Sequence, residues 1–80
     1  METKHFYATT RGLDHGHVVG VEHRLAPWRI DQQVVEHGGV VEWHLSSSVE
    51  SEREMAQHLR QAVKREIGRD VVRRSSPPCS

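Results

Sequence analysis

The chain has 80 residues, 35% of them hydrophobic, with eleven basic and eleven acidic side chains and one cysteine. A length near the lower limit for independent folding allows a single domain. The lone Cys79 excludes an intrachain disulfide, and the lack of an 18-residue apolar run excludes a membrane-spanning helix.

The first element is KHFYATTR, Lys4 to Arg11, which alternates Phe6 and Ala8 on one side with Tyr7 and Thr9 on the other, the pattern of a half-buried strand. GLDHG then reads as a turn, because glycine and aspartate supply the conformations and local hydrogen bonds that turns need. The following HVVGVEHRL reads as a second strand with Val19, Val21, His23 and Leu25 on the apolar side. His23 is then expected to face inward and to need a hydrogen-bond partner.

Pro27 ends that run, since proline cannot donate to a ladder. RIDQQVVE is the third expected strand, with Ile30 and Val34 facing inward. Gly38 and Gly39, between two β-rich runs, mark a hairpin. VVEWHLS, the fourth strand, places Val41, Trp43 and Leu45 on one face and Val40, Glu42 and His44 on the other.

SSSVESERE announces a helix. Ser47 and Glu50 have capping-box spacing, and Glu50, Glu52 and Glu54 fall where the positive end of the helix dipole favours carboxylates. Met55, Leu59, Ala62, Val63 and Ile67 then recur at three- and four-residue steps, laying one apolar stripe. Gly68 is the expected C-terminal cap. The domain is expected to span residues 1–68, followed by a disordered basic tail over 69–80, which is polar and ends in Pro77 and Pro78.

The expected fold is α+β: a four-stranded antiparallel meander with one C-terminal helix packed on one face, in two layers. Its core is Phe6, Ala8, Val19, Val21, Leu25, Ile30, Val34, Val41, Trp43, Leu45 and the helix stripe. The other sheet face, with Tyr7, Thr9, Val18, Glu22, Arg24, Val35, Val40 and His44, has no covering layer, so a partner or a second copy is expected there.

Seven histidines invite a metal reading centred on His15 and His17, with His5, Asp14 and His23 as further ligand candidates. No cysteine pair or H-E-x-x-H spacing supports it, and the cluster reads instead as a polar turn, with no metal or cofactor expected. Ser46 to Ser48 are better explained as capping residues than as nucleophiles, and no glycine-rich loop opens a helix for a nucleotide. An enzyme is therefore not expected.

Charge is balanced overall but uneven along the chain. The residues from Asp31 to Glu54 carry six carboxylates against Arg53, a local balance of −5, while Arg69 to Ser80 is +2. The carboxylates Glu36, Glu42, Glu50, Glu52 and Glu54 are read as an acidic patch able to occupy a basic groove of another protein. Tyr7, Arg24 and Trp28 are read as contact anchors, because aromatic residues and arginine dominate binding hot spots. Aromatic and arginine side chains on an open sheet are also the ingredients of a base-stacking surface, which keeps a nucleic-acid-binding module through Tyr7, Arg11, Arg24 and the basic tail as the alternative.

A small sheet with one helix, an acidic segment and no catalytic set resembles, over the whole chain, the format of small phage-encoded inhibitors of the anti-CRISPR kind. The resemblance implies a non-enzymatic protein, working in the host cytoplasm, that binds an effector subunit and blocks its basic nucleic-acid-binding surface. With VESEREMAQHLRQAV in the helical position, the order of strands and helix is also similar to HicB-type antitoxins. The proline-containing loop and threonine-led helix start of that pattern are missing.

Overall fold

The computed structural model describes residues 2–77. Four strands and two helices follow in the order β1 (Lys4–Arg11), α1 (His15–Leu25), β2 (Asp31–His37), β3 (Val40–Ser47), α2 (Glu52–Ile67) and β4 (Arg73–Arg74). The chain is thus α+β with a four-stranded antiparallel sheet, but the sheet is not a meander. Its strand order is β2-β3-β1-β4. Both β2 and β1 run antiparallel to β3, and β4 runs antiparallel to β1. Hence β1 and β2 are parallel and joined through α1, and β3 and β4 are parallel and joined through α2: two interleaved β-α-β units, the split βαβ arrangement.

The main correction is α1, expected as a strand. Asp14 is extended and its carboxylate accepts from the His17 backbone N–H at 2.8 Å, so the expected turn is a helix N-cap. The buried residues of the segment are Val18, Val21 and Leu25, spaced three and four apart. Val19, expected inside, is 37% exposed. His23 lies on the outer side of the helix and is exposed, so it needs no buried partner. Val18, Glu22 and Arg24 accordingly leave the open sheet face for the helical layer.

The second correction is the tail. After Gly68, at φ 75° as a left-handed helix cap, the chain turns back. Asp70 accepts from the Val72 backbone N–H, Val72 enters the core, and Arg73 and Arg74 pair with Thr9 and Ala8. Residues 69–74 therefore belong to the domain, because Val72 in the core, Val71 packed against it and two ladder positions tie them down. Residues 78–80, which include Cys79, lie outside the described residues.

A third correction concerns the start of α2. The capping box is formed by Ser51 and Glu54, four residues later than expected. Ser47 instead ends β3, where its buried hydroxyl donates to the Arg29 carbonyl at 2.5 Å and accepts from the backbone N–H of Val49 and Glu50.

The core lies between the sheet and the two helices, which pack on each other. It joins Phe6, Ala8, Val41, Trp43 and Leu45 of the sheet to Val18, Val21 and Leu25 of α1 and Met55, Leu59 and Val63 of α2. Trp43 is 1% exposed, and its indole N–H donates to the hydroxyl of the equally buried Thr10 at 2.9 Å. The Cα atoms span 35 × 30 × 17 Å. The short dimension has room for one sheet and one helical layer, so the second face of the sheet stays uncovered.

Candidate binding face on the open sheet

Alternation along β1 sends Phe6, Ala8 and Thr10 to the core and His5, Tyr7, Thr9 and Arg11 to the uncovered face. On β3 it sends Val41, Trp43 and Leu45 inward and Val40, Glu42, His44 and Ser46 outward. The β1–β3 register sets Tyr7 opposite His44 and His5 opposite Ser46. Tyr7 and His44 stack in the middle of the sheet, with ring centroids 4.3 Å apart and planes within 12°. His5 extends the stack, its centroid 5.2 Å from that of His44.

The hydrogen bonds of this cluster assign its protons. Gln33 Oε1, which only accepts, lies 3.2 Å from His44 Nδ1, so that nitrogen carries the proton and donates. His44 Nε2 is then free to accept from His5 Nδ1, at 3.0 Å. A second proton on His44 would bring two N–H groups face to face. Burial, reinforced by the neighbouring His5 ring, accordingly holds the His44 imidazole below the usual histidine value.

Charge on the face is polarised. On the β4 side, Thr9, Arg11, Arg69, Asp70 and Arg73 line one concavity, three guanidinium groups against one carboxylate. Among the described residues, arginine ion pairs involve Arg24, with Glu66, and Arg74, with Glu52; Arg11, Arg69 and Arg73 keep their charge unspent. On the β2 side, Glu42 lies 3.3 Å from His37.

The five carboxylates of the expected acidic patch are not all brought together, although Glu50 and Glu54 lie side by side. Glu42 lies on the open face, whereas Glu36, its neighbour on the other side of the sheet, receives His15 Nδ1 at 2.9 Å. That bond, and then the Glu36 charge, raises the His15 value above the usual one. Glu50 faces His58 at 3.8 Å, Glu52 pairs with Arg74, and Glu54 closes the capping box. Each carboxylate already has a local partner.

Of the expected anchors, Tyr7 sits at the centre of the open face, and Arg24 and Trp28 lie elsewhere. Trp28 is 44% exposed and stacks on His58 at 3.8 Å between centroids, beside a groove that Arg24 and Arg65 also line. His15 and His17 meet Glu36 and Asp14, respectively, while His5 lies with His44. Among the described residues no group of three or more histidine, cysteine or carboxylate side chains is arranged to hold a metal ion, and no helix is long and apolar enough to cross a membrane.

Arg69 and Arg73 belong to the basic tail that the nucleic-acid alternative included, whereas His44 was named as no contact residue. The alternation of β3 had placed His44 on the open face, but only the pairing of β3 with β1 sets it against Tyr7. Comparison of the chain with protein-family models, with curated proteins and with solved structures finds no match.

Proposed function

We propose that this protein is a non-enzymatic binding module whose uncovered sheet face takes a single-stranded nucleic acid. The observation that carries the reading is the parallel Tyr7–His44 stack on adjacent central strands. A base can extend this stack on an outer ring face irrespective of sequence, and Arg11, Arg69 and Arg73 along one margin meet the phosphates. The sugar–phosphate chain lies over the β1–β4 half, away from Glu42.

Fluorescence anisotropy with labelled 12-nucleotide RNA and DNA at 50 mM salt tests this. Stacking on an aromatic ring is worth about 1–3 kcal/mol per base, so Tyr7→Ala is expected to weaken binding roughly 5- to 150-fold. Arg73→Gln is expected to lower the slope of log K against log salt by about 1. Absence of binding at 50 mM salt, or unchanged affinity in Tyr7→Ala, sinks the proposal.

One observation favours a second reading, an inhibitor that docks on an effector protein: the exposure of Trp28 beside Arg24 on the helical side. An aromatic ring next to a guanidinium is a composition found at interface hot spots. If the chain ignores nucleic acid but captures a protein from host extract, and Trp28→Ala abolishes that capture, this reading prevails.

A further inference from the structure

Strand β2 forms one edge of the sheet. It is seven residues long, contains neither lysine nor proline, and carries Val35 at 49% exposure. Which of its backbone groups are free follows from the ladder. Gly38 and Gly39, both at positive φ, form a two-residue turn, which makes His37 and Val40 the closing hydrogen-bonded pair. Pairs then alternate, so His37, Val35, Gln33 and Asp31 bond to β3, while Glu36, Val34 and Gln32 turn their N–H and C=O groups to the edge. The other side of β3 agrees: Gly12 N–H donates to Gly39 O at 3.2 Å, which puts the even-numbered β1 residues in the bonded series and leaves Tyr7 O for Ser75 N–H at 2.9 Å.

The three outward positions, 32, 34 and 36, are symmetric about Val34. We propose that β2 pairs antiparallel with β2 of a second copy, with the two-fold axis at Val34. In that register Val34 faces Val34, and Gln32 faces Glu36 on both sides of the axis, so all six edge groups of each strand find partners. A register shifted by one residue either way satisfies fewer.

Side chains agree with the same register. On the open face, Asp31 of one copy stands opposite His37 of the other, and Gln33 opposite Val35, each pair occurring twice. The carboxylate–imidazole pairs are of opposite sign when His37 is protonated, and each exposed Val35 is covered by the Gln33 side chain opposite it. An isologous contact of this kind closes on itself and stops at two copies. The product is a continuous eight-stranded sheet with two Tyr7–His44 stacks on one face. The pairing does not depend on what binds there.

Light scattering across a concentration series on the full chain is expected to show a mass rising from 9.2 kDa toward twice that value. A monomer at every concentration overturns the proposal. Register is read in a Cys79→Ser background by oxidative cross-linking: Gln33→Cys chains mixed with Val35→Cys chains are expected to form a disulfide, and neither with itself. Self-linking of Gln33→Cys chains means a different pairing and refutes the axis at Val34. Asp31→Lys should raise the dimer dissociation constant about 2- to 30-fold, the range for losing two opposite-charge cross-strand pairs, and His37→Glu added to it should restore the affinity. No change in Asp31→Lys also counts against the register.

Discussion

Replacing Thr10 by valine changes the size of one buried side chain very little and removes a single hydrogen-bond acceptor. Thr10 and Trp43 are each 1% exposed, and the indole N–H reaches the threonine hydroxyl at 2.9 Å. Without that oxygen the donor is left dry and unpaired, at a cost of about 1–3 kcal/mol. The added methyl offsets about 0.8 kcal/mol of this through apolar burial. The net expectation is a loss of roughly 0.2–2.2 kcal/mol, or about 1–18 °C in Tm for a domain of this size. Urea unfolding followed by Trp fluorescence and circular dichroism measures it, with an unchanged m-value as the sign that only the native state was altered. A double-mutant cycle sharpens the test: in a Trp43→Phe background, which has no indole N–H, Thr10→Val should be neutral or stabilising. If Thr10→Val costs the same in both backgrounds, the indole–hydroxyl bond is not what holds this part of the core.

Three further outcomes are expected. Ser51→Ala removes the capping-box hydroxyl of α2 and should cost about 1 kcal/mol in urea unfolding; a loss below a few tenths would contradict the cap. Truncation after Gly68 removes Val72 from the core along with β4, and should cost about 1.5–3 kcal/mol for the valine alone; unchanged thermal stability would mean the last strand is not part of the domain. In an NMR titration of the histidine rings, His44 should titrate below the ordinary value near 6.5 and His15 above it. The neutral His44 ring is favoured by folding, so its contribution to stability is present above that value and fades as pH falls through the folded-state pKa. His15 behaves oppositely: its contribution is present below that value and fades as pH rises. Reversal of the two assignments would refute both environments.

The strands KHFYATTR and VVEWHLS, the Gly38–Gly39 turn and the apolar stripe of α2 were readable because each repeats one period without conflict. The segment from His15 to Leu25 was not, since its valines satisfy two periods at once. Val19 and Val21 fit a strand, and Val18 and Val21 fit a helix; β-branched side chains tilt the local preference toward the strand. Tertiary context overrode that preference, because β1 and β2 are parallel and need a crossover between them. The signal that pointed to the helix was Asp14 placed as an N-cap ahead of Val18, Val21 and Leu25. The tail was missed because Val71 and Val72 are a single apolar pair in a polar stretch, too short to show a period.

The same error hid the candidate face. With residues 15–25 read as a strand, Tyr7 had no known neighbour across the sheet, and His44 remained an isolated residue on the open side. Only the β1–β3 register, which joins residues 37 positions apart, brings the two rings into one stack. The acidic patch failed for a simpler reason. Closeness in sequence is not closeness in space on a strand and its neighbouring helix, where Glu36 and Glu42 point to opposite faces and the others find separate partners.

The pairing of β4 with β1 also has a practical side. Because the two strands run in opposite directions, the residues around Ser75 to Pro77 come back beside Glu2 to His5, at the rim of the Tyr7–His44 stack. An affinity tag or fluorophore attached next to Glu2 or Pro77 would start at the edge of that surface. A circular permutant, with the old ends joined by a short linker and new ends opened at Gly38–Gly39, would keep every paired strand and move the handle to the far end of the sheet.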